Sequence, residues 1–262
     1  MTGSIRLFSG RHALVTGGGS GIGAAVARSL LEAGARVTIA GRRRAVLEQA
    51  AGDIGLAALD CFGMDVTDAR SVTSGVAAAV ARHGRVDILI NNAGRATSAP
   101  FGKATVGMLD DMLTANVRGT WLVTEAVLPG MIGQKWGRIV NVASTAGLVG
   151  YAYATAYVAA KHAVVGLTRA LALEVARQGV TVNAVCPGFT ETPLLDGAVA
   201  NITAKTGRSD AEARSDLARG NPLGRLVQPQ EVADAVLWLA SPGAAAINGQ
   251  AVAVCGGEVM TG

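Results

Sequence analysis

The sequence predicts a doubly wound α/β fold: a parallel sheet of about seven strands, flanked by helices on both faces. Two observations carry the prediction. Short, continuously apolar, β-branched segments alternate with longer helical patterns, and such strands belong in a sheet buried on both sides. A glycine-rich turn, Thr16-Gly17-Gly18-Gly19-Ser20-Gly21-Ile22-Gly23, stands between the first such strand and the first such helix. The length of 262 residues fits one large domain, residues 1–262, better than two small ones.

The strand candidates follow in order. Ala13–Val15 leads straight into the glycine turn, and Arg36–Ala40 ends at Gly41. Leu59–Asp65 and Val86–Asn91 close on polar residues, and Arg138–Ala143, Val180–Cys186 and Gln250–Val254 complete the set. Helical stretches lie between them: Ile22–Ala33, Ala45–Ala51, Ala69–Arg82, Val106–Met131, Thr155–Gln178 and Gln230–Leu239. One segment breaks the alternation. From Gly188 to Gln228 the chain turns polar, with Thr190-Glu191-Thr192-Pro193, a Leu194-Leu195 pair and a charged stretch from Lys205 to Arg219. A long, partly helical insertion at a strand's carboxyl end reads as an active-site lid, because ligands bind beyond those ends. An ordinary surface excursion is the plainer alternative.

Bulk properties narrow the function. Half of the residues are hydrophobic and only 4% are aromatic, which suits close helix-on-sheet packing. No apolar run reaches the roughly 18 to 20 uncharged residues of a spanning helix. Met1 to Arg11 lacks the basic-then-apolar layout of a secretory signal. Cys61, Cys186 and Cys255 are odd in number and far apart, so they read as reduced thiols and the expected location is the cytoplasm. The net charge is +4, but the basic residues are scattered apart from Arg42-Arg43-Arg44, and no nucleic-acid-reading motif accompanies them. His12, His83 and His162 have no ligand partners at metal spacing, so no metal site is expected. Ser144 lacks the Gly-x-Ser-x-Gly elbow of a serine hydrolase.

The glycine turn has the context of a pyrophosphate cradle. Glycines let bare backbone N–H groups approach a diphosphate at the positive end of the following helix. With strand before and helix after, Gly17, Ser20, Gly21, Ile22 and Gly23 are the expected phosphate-side contacts. A fold of this kind that takes NAD carries an acidic residue about twenty residues on, against the ribose 2′-hydroxyl. Here the second strand ends in Gly41-Arg42-Arg43. Nothing there repels a 2′-phosphate, and Arg42 and Arg43 can pair with one. NADP(H) is therefore the expected cofactor, with NAD(H) the alternative.

Tyr157 and Lys161 are four residues apart on a helical pattern, and so share one face. An ammonium beside a phenol favours the phenolate and brings the tyrosine towards the range of useful acid–base catalysis. Ser144, at the end of the preceding strand, is placed to hydrogen-bond a substrate oxygen. Asn91-Asn92-Ala93-Gly94 at a strand end reads equally as a plain turn, and Asp65 equally as a helix cap. The stretch Tyr157 to Gln178 is apolar nearly all round, which calls for a second covering partner, either this chain or another subunit.

Together, Thr16-Gly17-x3-Gly21-x-Gly23, Asn91-Asn92-Ala93-Gly94, Asn116, Ser144, Tyr157-x3-Lys161 and Pro187-Gly188 resemble the short-chain dehydrogenase/reductase family over the whole chain. The resemblance implies a Rossmann-type fold, a homotetramer and a catalytic tetrad. Tyr157 would be the acid–base, Lys161 would lower its pKa and bind the nicotinamide ribose, Ser144 would orient the carbonyl, and Asn116 would hold a relay water. It also implies Asp65 and Val66 against the adenine, Asn92, Ala93 and Gly94 along the cofactor, and Pro187, Gly188, Thr190 and Thr192 over the nicotinamide. The segments around Cys186-Pro187-Gly188 and Cys255-Gly256-Gly257 are similar to β-ketoacyl reductases, including those of aromatic polyketide pathways, although Arg95-Ala96-Thr97 lacks the Pro-Gly-Gly of some of them. The expected activity is hydride transfer between nicotinamide and a carbonyl or secondary alcohol. Reduction of a β-ketoacyl thioester or related small ketone leads. An NAD-dependent 3-hydroxyacyl or alicyclic alcohol dehydrogenase is the alternative, and a non-catalytic dinucleotide sensor is a third reading.

Overall fold

Strand β1 (His12–Thr16) is buried along its whole length, and its side chains alternate between two apolar layers. Ala13 and Val15 join one core while Leu14 joins the other. This two-sided burial is what a central parallel strand requires. The computed structural model describes residues 7–55 and 59–260. The other strands are β2 (Arg36–Gly41), β3 (Leu59–Gly63), β4 (Ile88–Asn91), β5 (Gly137–Val142), β6 (Val180–Pro187) and β7 (Ala251–Val254). They form one parallel sheet in the order β3-β2-β1-β4-β5-β6-β7.

The helices are α1 (Gly21–Glu32), α2 (Arg44–Ile54), α3 (Ala69–His83), α4 (Val106–Met112), α5 (Gly119–Gly133), α6 (Thr155–Val175), α7 (Pro193–Thr206), α8 (Asp210–Ala218) and α9 (Pro229–Ala240). Val26 and Leu30 of α1, Leu47 of α2 and Val232 and Val236 of α9 cover one face of the sheet. Val72 and Val76 of α3, Val123 and Val127 of α5 and Ala172 and Val175 of α6 cover the other. The chain reverses its winding between β1 and β4, so a crevice opens beyond their carboxyl ends, where open α/β sheets take their ligands.

All seven expected strands are present, with shifts of a residue or two at their ends. One difference matters for the site. The expected continuous helix Val106–Met131 is broken by a π-helical turn, Leu113–Arg118, between α4 and α5. Turns of this kind recur at functional sites, and this one holds Asn116. The polar segment 188–228 contains two capped helices. Thr192 caps α7, and Ser209 with Glu212 forms a capping box on α8. Leu195, Val199, Ala213 and Leu226 give the segment a small core of its own, against which Phe189 packs. Leu195 therefore lies inside this core, whereas its neighbour Leu194 is exposed.

Candidate active site

At the mouth of the crevice, Gly17 and Gly21 both take positive φ, 64° and 53°, which only glycine adopts without strain. A Cβ on Gly23 would collide with the carbonyl of Gly17 and lie 2.5 Å from the Asn92 Nδ2. Gly23 is thus a packing glycine behind the turn and does not face the cleft. Thr16 ties the turn to the strand beside it, since its Oγ1 accepts from the backbone of Asn92 and Ala93, each at 3.0 Å. The Asn92 amide donates to the carbonyls of Thr16 and Gly17 at 3.0 and 3.1 Å. Asn92 is a brace for the turn as well as part of the cleft wall.

The cleft encloses about 370 Å³. Its walls include Gly17, Ser20, Gly21, Ile22, Arg42, Arg43, Asp65, Val66, Asn92, Ala93, Gly94 and Thr192, as the sequence leads one to expect. Several lining residues were not anticipated: Gly19, Gly41, Val46, Leu47, Met64, Thr67, Arg95, Asp111, Thr114, Ala115, Pro193 and Leu194. Asp111, Thr114 and Ala115 lie five, two and one residues before Asn116, a nearness in sequence that could have flagged them. Thr67 was legible too, because Asp65-x-Thr67 is an Asx-turn pattern.

The residues present fit a dinucleotide. Ser20 caps α1 without a side-chain hydrogen bond and the first turn carries no acidic residue, so the N-terminal N–H groups remain available to an anion. At the far end Arg44 pairs with Glu48 at 2.7 Å, whereas Arg42 and Arg43 are exposed and make no carboxylate pair among the described residues. The Asp65 carboxyl is held below the usual carboxylate range, first by the Thr67 backbone N–H and then by the Thr67 hydroxyl, with Arg42 and Arg95 adding favourable charge.

Asn116 and Lys161 stand beside Gly94, Tyr157 lies next to Lys161, and Ser144 hydrogen-bonds Tyr157. A Cβ on Gly94 would lie 2.5 Å from the Asn116 Oδ1, so glycine makes room for that amide, while the Lys161 Nζ at 3.8 Å is an ordinary contact. The Asn116 amide is fully engaged: Nδ2 donates to the carbonyls of Arg95 (3.0 Å) and Met112 (2.9 Å), and Oδ1 accepts from the Arg95 N–H at 3.2 Å. Ser144 caps a short 3₁₀ turn, accepting from the Ala146 N–H at 3.1 Å. Lys161 is buried, donates to the Val142 carbonyl at 2.8 Å, and lies 5.7 Å from the centre of the Tyr157 ring.

One electrostatic expectation is overturned. Burial pushes the Tyr157 phenol above its ordinary value, opposed by the hydrogen bond with Ser144. No lowering by Lys161 emerges. The reason is that burial also drives the Lys161 ammonium down to about 8, and its hydrogen bond is spent on Val142. Beneath this pair the Cys186 thiol is buried and raised to about 11, a bystander by chemistry.

Pro187, Gly188 and Thr190 form the root of the 188–228 segment and do not line the cleft. The Thr190 hydroxyl turns inward to the Gly188 carbonyl at 2.9 Å, and Thr190 bridges to Val227. Thr192 does reach the cleft: its methyl stands 3.0 Å from where a Cβ on Gly21 would be. His162 is exposed, as expected for a residue outside the machinery. No group of His, Cys, Asp and Glu among the described residues is arranged to hold a metal.

The chain belongs to the short-chain dehydrogenase family: residues 11–202 match the family model described as short chain dehydrogenase. It is accordingly an oxidoreductase with a seven-stranded Rossmann-type sheet. A Streptomyces violaceoruber protein, assigned as ketoacyl reductase 1 of the granaticin polyketide synthase, is 44% identical over 249 residues, 94% of this chain and 92% of that one. A D-beta-hydroxybutyrate dehydrogenase of Rhizobium meliloti is 35% identical, covering 94% of this chain and 98% of its own length. Among solved structures, a variant of actinorhodin polyketide ketoreductase with NADPH superposes with a TM-score of 0.91 at 42% identity, covering 95% of this chain and 97% of that one.

Proposed function

We propose that this protein is an NADPH-dependent ketoreductase that reduces a β-ketoacyl thioester or related ketone to the secondary alcohol. The observation that carries the reading is the meeting of two sites. A dinucleotide cleft ends in Arg42 and Arg43, which make no carboxylate pair among the described residues; Asn116 and Lys161 stand at its Gly94 edge, with Tyr157 and Ser144 adjoining Lys161. The similarity to ketoacyl reductases, one of them solved with NADPH, supports both the cofactor and the substrate class.

When bound, the dinucleotide supplies the hydride. The chain's residues do the rest. Ser144 holds the ketone oxygen, and Tyr157 gives that oxygen its phenolic proton. Its raised pKa keeps the phenol protonated at neutral pH, the state a reduction needs. Lys161 presents its remaining N–H donors towards the ribose. The amide of Asn116 is occupied, so we assign the relay water to the second lone pair of its main-chain carbonyl, which accepts from the Thr120 hydroxyl at 2.8 Å. The whole chain acts as one catalytic domain, with 188–228 as the substrate lid. Pro187, Gly188, Thr190 and Thr192 shape the nicotinamide end, the first three through the backbone they root.

Two further assignments accompany this reading. Exposed Trp121 on α5 and Leu173 on α6 support a homotetramer built on these helices. Three unpaired cysteines support a cytoplasmic location, and no described helix is long and apolar enough to cross a membrane.

The direct test is a panel of ketones and acyl thioesters, assayed with NADPH and NADH by loss of reduced-cofactor absorbance. Turnover of β-ketoacyl thioesters or cyclic ketones with NADPH is the expected result. The similarity to D-beta-hydroxybutyrate dehydrogenase favours the second reading, oxidation of a hydroxyacyl substrate with NAD, and exclusive NAD-linked oxidation would establish it instead. NADPH is expected to bind more tightly than NADH, and Arg42→Ala to erode the difference about tenfold or more, the worth of a charge-assisted contact. Titration of both reduced cofactors at matched ionic strength checks this; equal affinities in the unaltered protein would overturn the NADP(H) assignment.

A further inference from the structure

The turn Cys255–Glu258, after β7, is wedged against the 188–228 segment at two places, its root at Gly188 and the loop after α8 at Gly220. At the root, a Cβ on Gly188 would stand 3.1 Å from the Cβ of Cys255 and 3.0 Å from the Glu258 Oε2. In the loop, a Cβ on Gly220 would stand 3.1 Å from the Glu258 Oε1. Asn221, next to Gly220, lies directly against Gly256, whose φ of 62° and lack of a side chain permit the contact. One carboxylate therefore lies beside the point where the segment leaves the sheet and beside the loop that follows α8.

The same carboxylate reaches the catalytic side. The Tyr151 hydroxyl donates to Glu258 Oε1 at 2.7 Å, and the Tyr151 and Thr145 hydroxyls are 2.9 Å apart. The single Tyr151 hydroxyl proton goes to the carboxylate, so the Thr145 hydroxyl donates to the Tyr151 oxygen and the chain runs Thr145 to Tyr151 to Glu258. Thr145 follows Ser144 directly in the 3₁₀ turn that Ser144 caps. The Tyr151 ring meets Phe189 edge to face, with centroids 6.0 Å apart, and Phe189 packs into the segment's own core. Nothing in the acid–base chemistry uses Tyr151 or Glu258.

We propose that Glu258 is a positioning residue, fastening the Ser144–Tyr151 turn, the Gly188 root of the lid and the loop after α8 in one register through its hydrogen bond from Tyr151. Its effect on turnover rests on the ketoreductase reading; its effect on the lid does not. A lid held at two such points loses less conformational freedom when substrate binds. Removing the fastening raises the substrate KM and leaves the dinucleotide cleft, walled by other elements, as it was.

The test uses the full chain and three variants: Glu258→Ala, Glu258→Gln and Tyr151→Phe. Hydrogen exchange of the ligand-free protein is expected to rise about tenfold in amides 189–227 for Glu258→Ala and Tyr151→Phe, the worth of one hydrogen bond to a charged group. Exchange in β1, β4 and β5 stays unchanged. The ketone KM rises by a similar factor, with the NADPH Kd constant. Glu258→Gln, whose amide oxygen accepts the same hydrogen bond, is expected to stay near the unaltered protein. Unchanged lid exchange in Glu258→Ala, an equal rise in the central strands, or a Gln variant as damaged as the Ala variant each overturns the proposal. Absence of any ketone turnover in the unaltered protein sinks the ketoreductase reading alone, because the exchange measurement needs no substrate.

Discussion

Tyr157→Phe is expected to lower kcat for ketone reduction by roughly a hundred- to ten-thousand-fold, the range that one general acid supplies, while the Kd for NADPH stays within twofold. The substitution removes one oxygen and keeps the ring against its neighbours, so the cleft walls are untouched. Tyr157 does not line the dinucleotide cleft, whereas Arg42, Ser20 and Gly21 do. Burial holds its phenol protonated, opposed only by Ser144. The free protein is thus poised to give a proton, and reduction should slow as pH rises through the phenol's pKa. Steady-state kinetics and fluorescence titration measure the two quantities separately. Activity within tenfold of the unaltered protein would remove Tyr157 from the acid role, and a matching loss of cofactor affinity would make it a structural residue.

The fold was legible because its signals are local and repeated. Continuously apolar strands such as Val86–Asn91 and the strand–glycine–helix junction at Gly17 each specify a parallel sheet, and the structure contains every strand they point to. The dinucleotide wall was legible for the same reason: Gly21, Arg42 and Asp65 follow strand ends, and strand ends are readable. What escaped the sequence depends on distances between segments. The π turn at Leu113–Arg118 leaves no mark in a helical periodicity, yet it decides that the Asn116 amide is consumed by Arg95 and Met112. The sign of the Tyr157 shift escaped as well. Helical spacing places Lys161 near the phenol, but cannot report that both groups lose water together and that Val142 takes the ammonium's hydrogen bond. The Tyr151–Glu258 contact joins residues 107 apart, with no motif on either side. Polarity also misled at 188–228, where Leu195, Val199, Ala213 and Leu226 are spaced for a small core that only the folding of α7 onto α8 reveals.

Lys161→Met is expected to abolish turnover and to alter the pH dependence of stability by an amount that identifies the buried ammonium. Lys161 is enclosed, has one hydrogen-bond acceptor, the Val142 carbonyl, and makes no ion pair among the described residues. Val142 lies one residue past the last β4–β5 pair, Asn91 with Asn141, so its carbonyl is open to a side-chain donor. The penalty for enclosing the charge lowers the pKa from its ordinary 10.5 to about 8. The sign of the stability effect follows from proton counts. Above about 10.4 the amine is neutral in folded and unfolded chains alike, and no penalty operates. As pH falls from there to about 8, the unfolded chain takes up the proton first, and folding becomes steadily less favourable. Below about 8 both states are protonated and the full penalty, on the order of 3 kcal/mol at about 1.4 kcal/mol per pKa unit, is present. Methionine has nearly the same length and no charge, so its variant lacks this slope. Leaving the Val142 carbonyl unpaired costs it about 1 to 3 kcal/mol at every pH, which offsets the curve without tilting it. Urea unfolding of both proteins at one concentration, from pH 7 to 10.5, should therefore show the unaltered protein gaining on the Met variant as pH rises, with the whole change above pH 8. A difference in stability that stays flat across this range means that the amine is hydrated in the folded chain. Lys161 could not then be the enclosed, singly bonded cation that the site is built around.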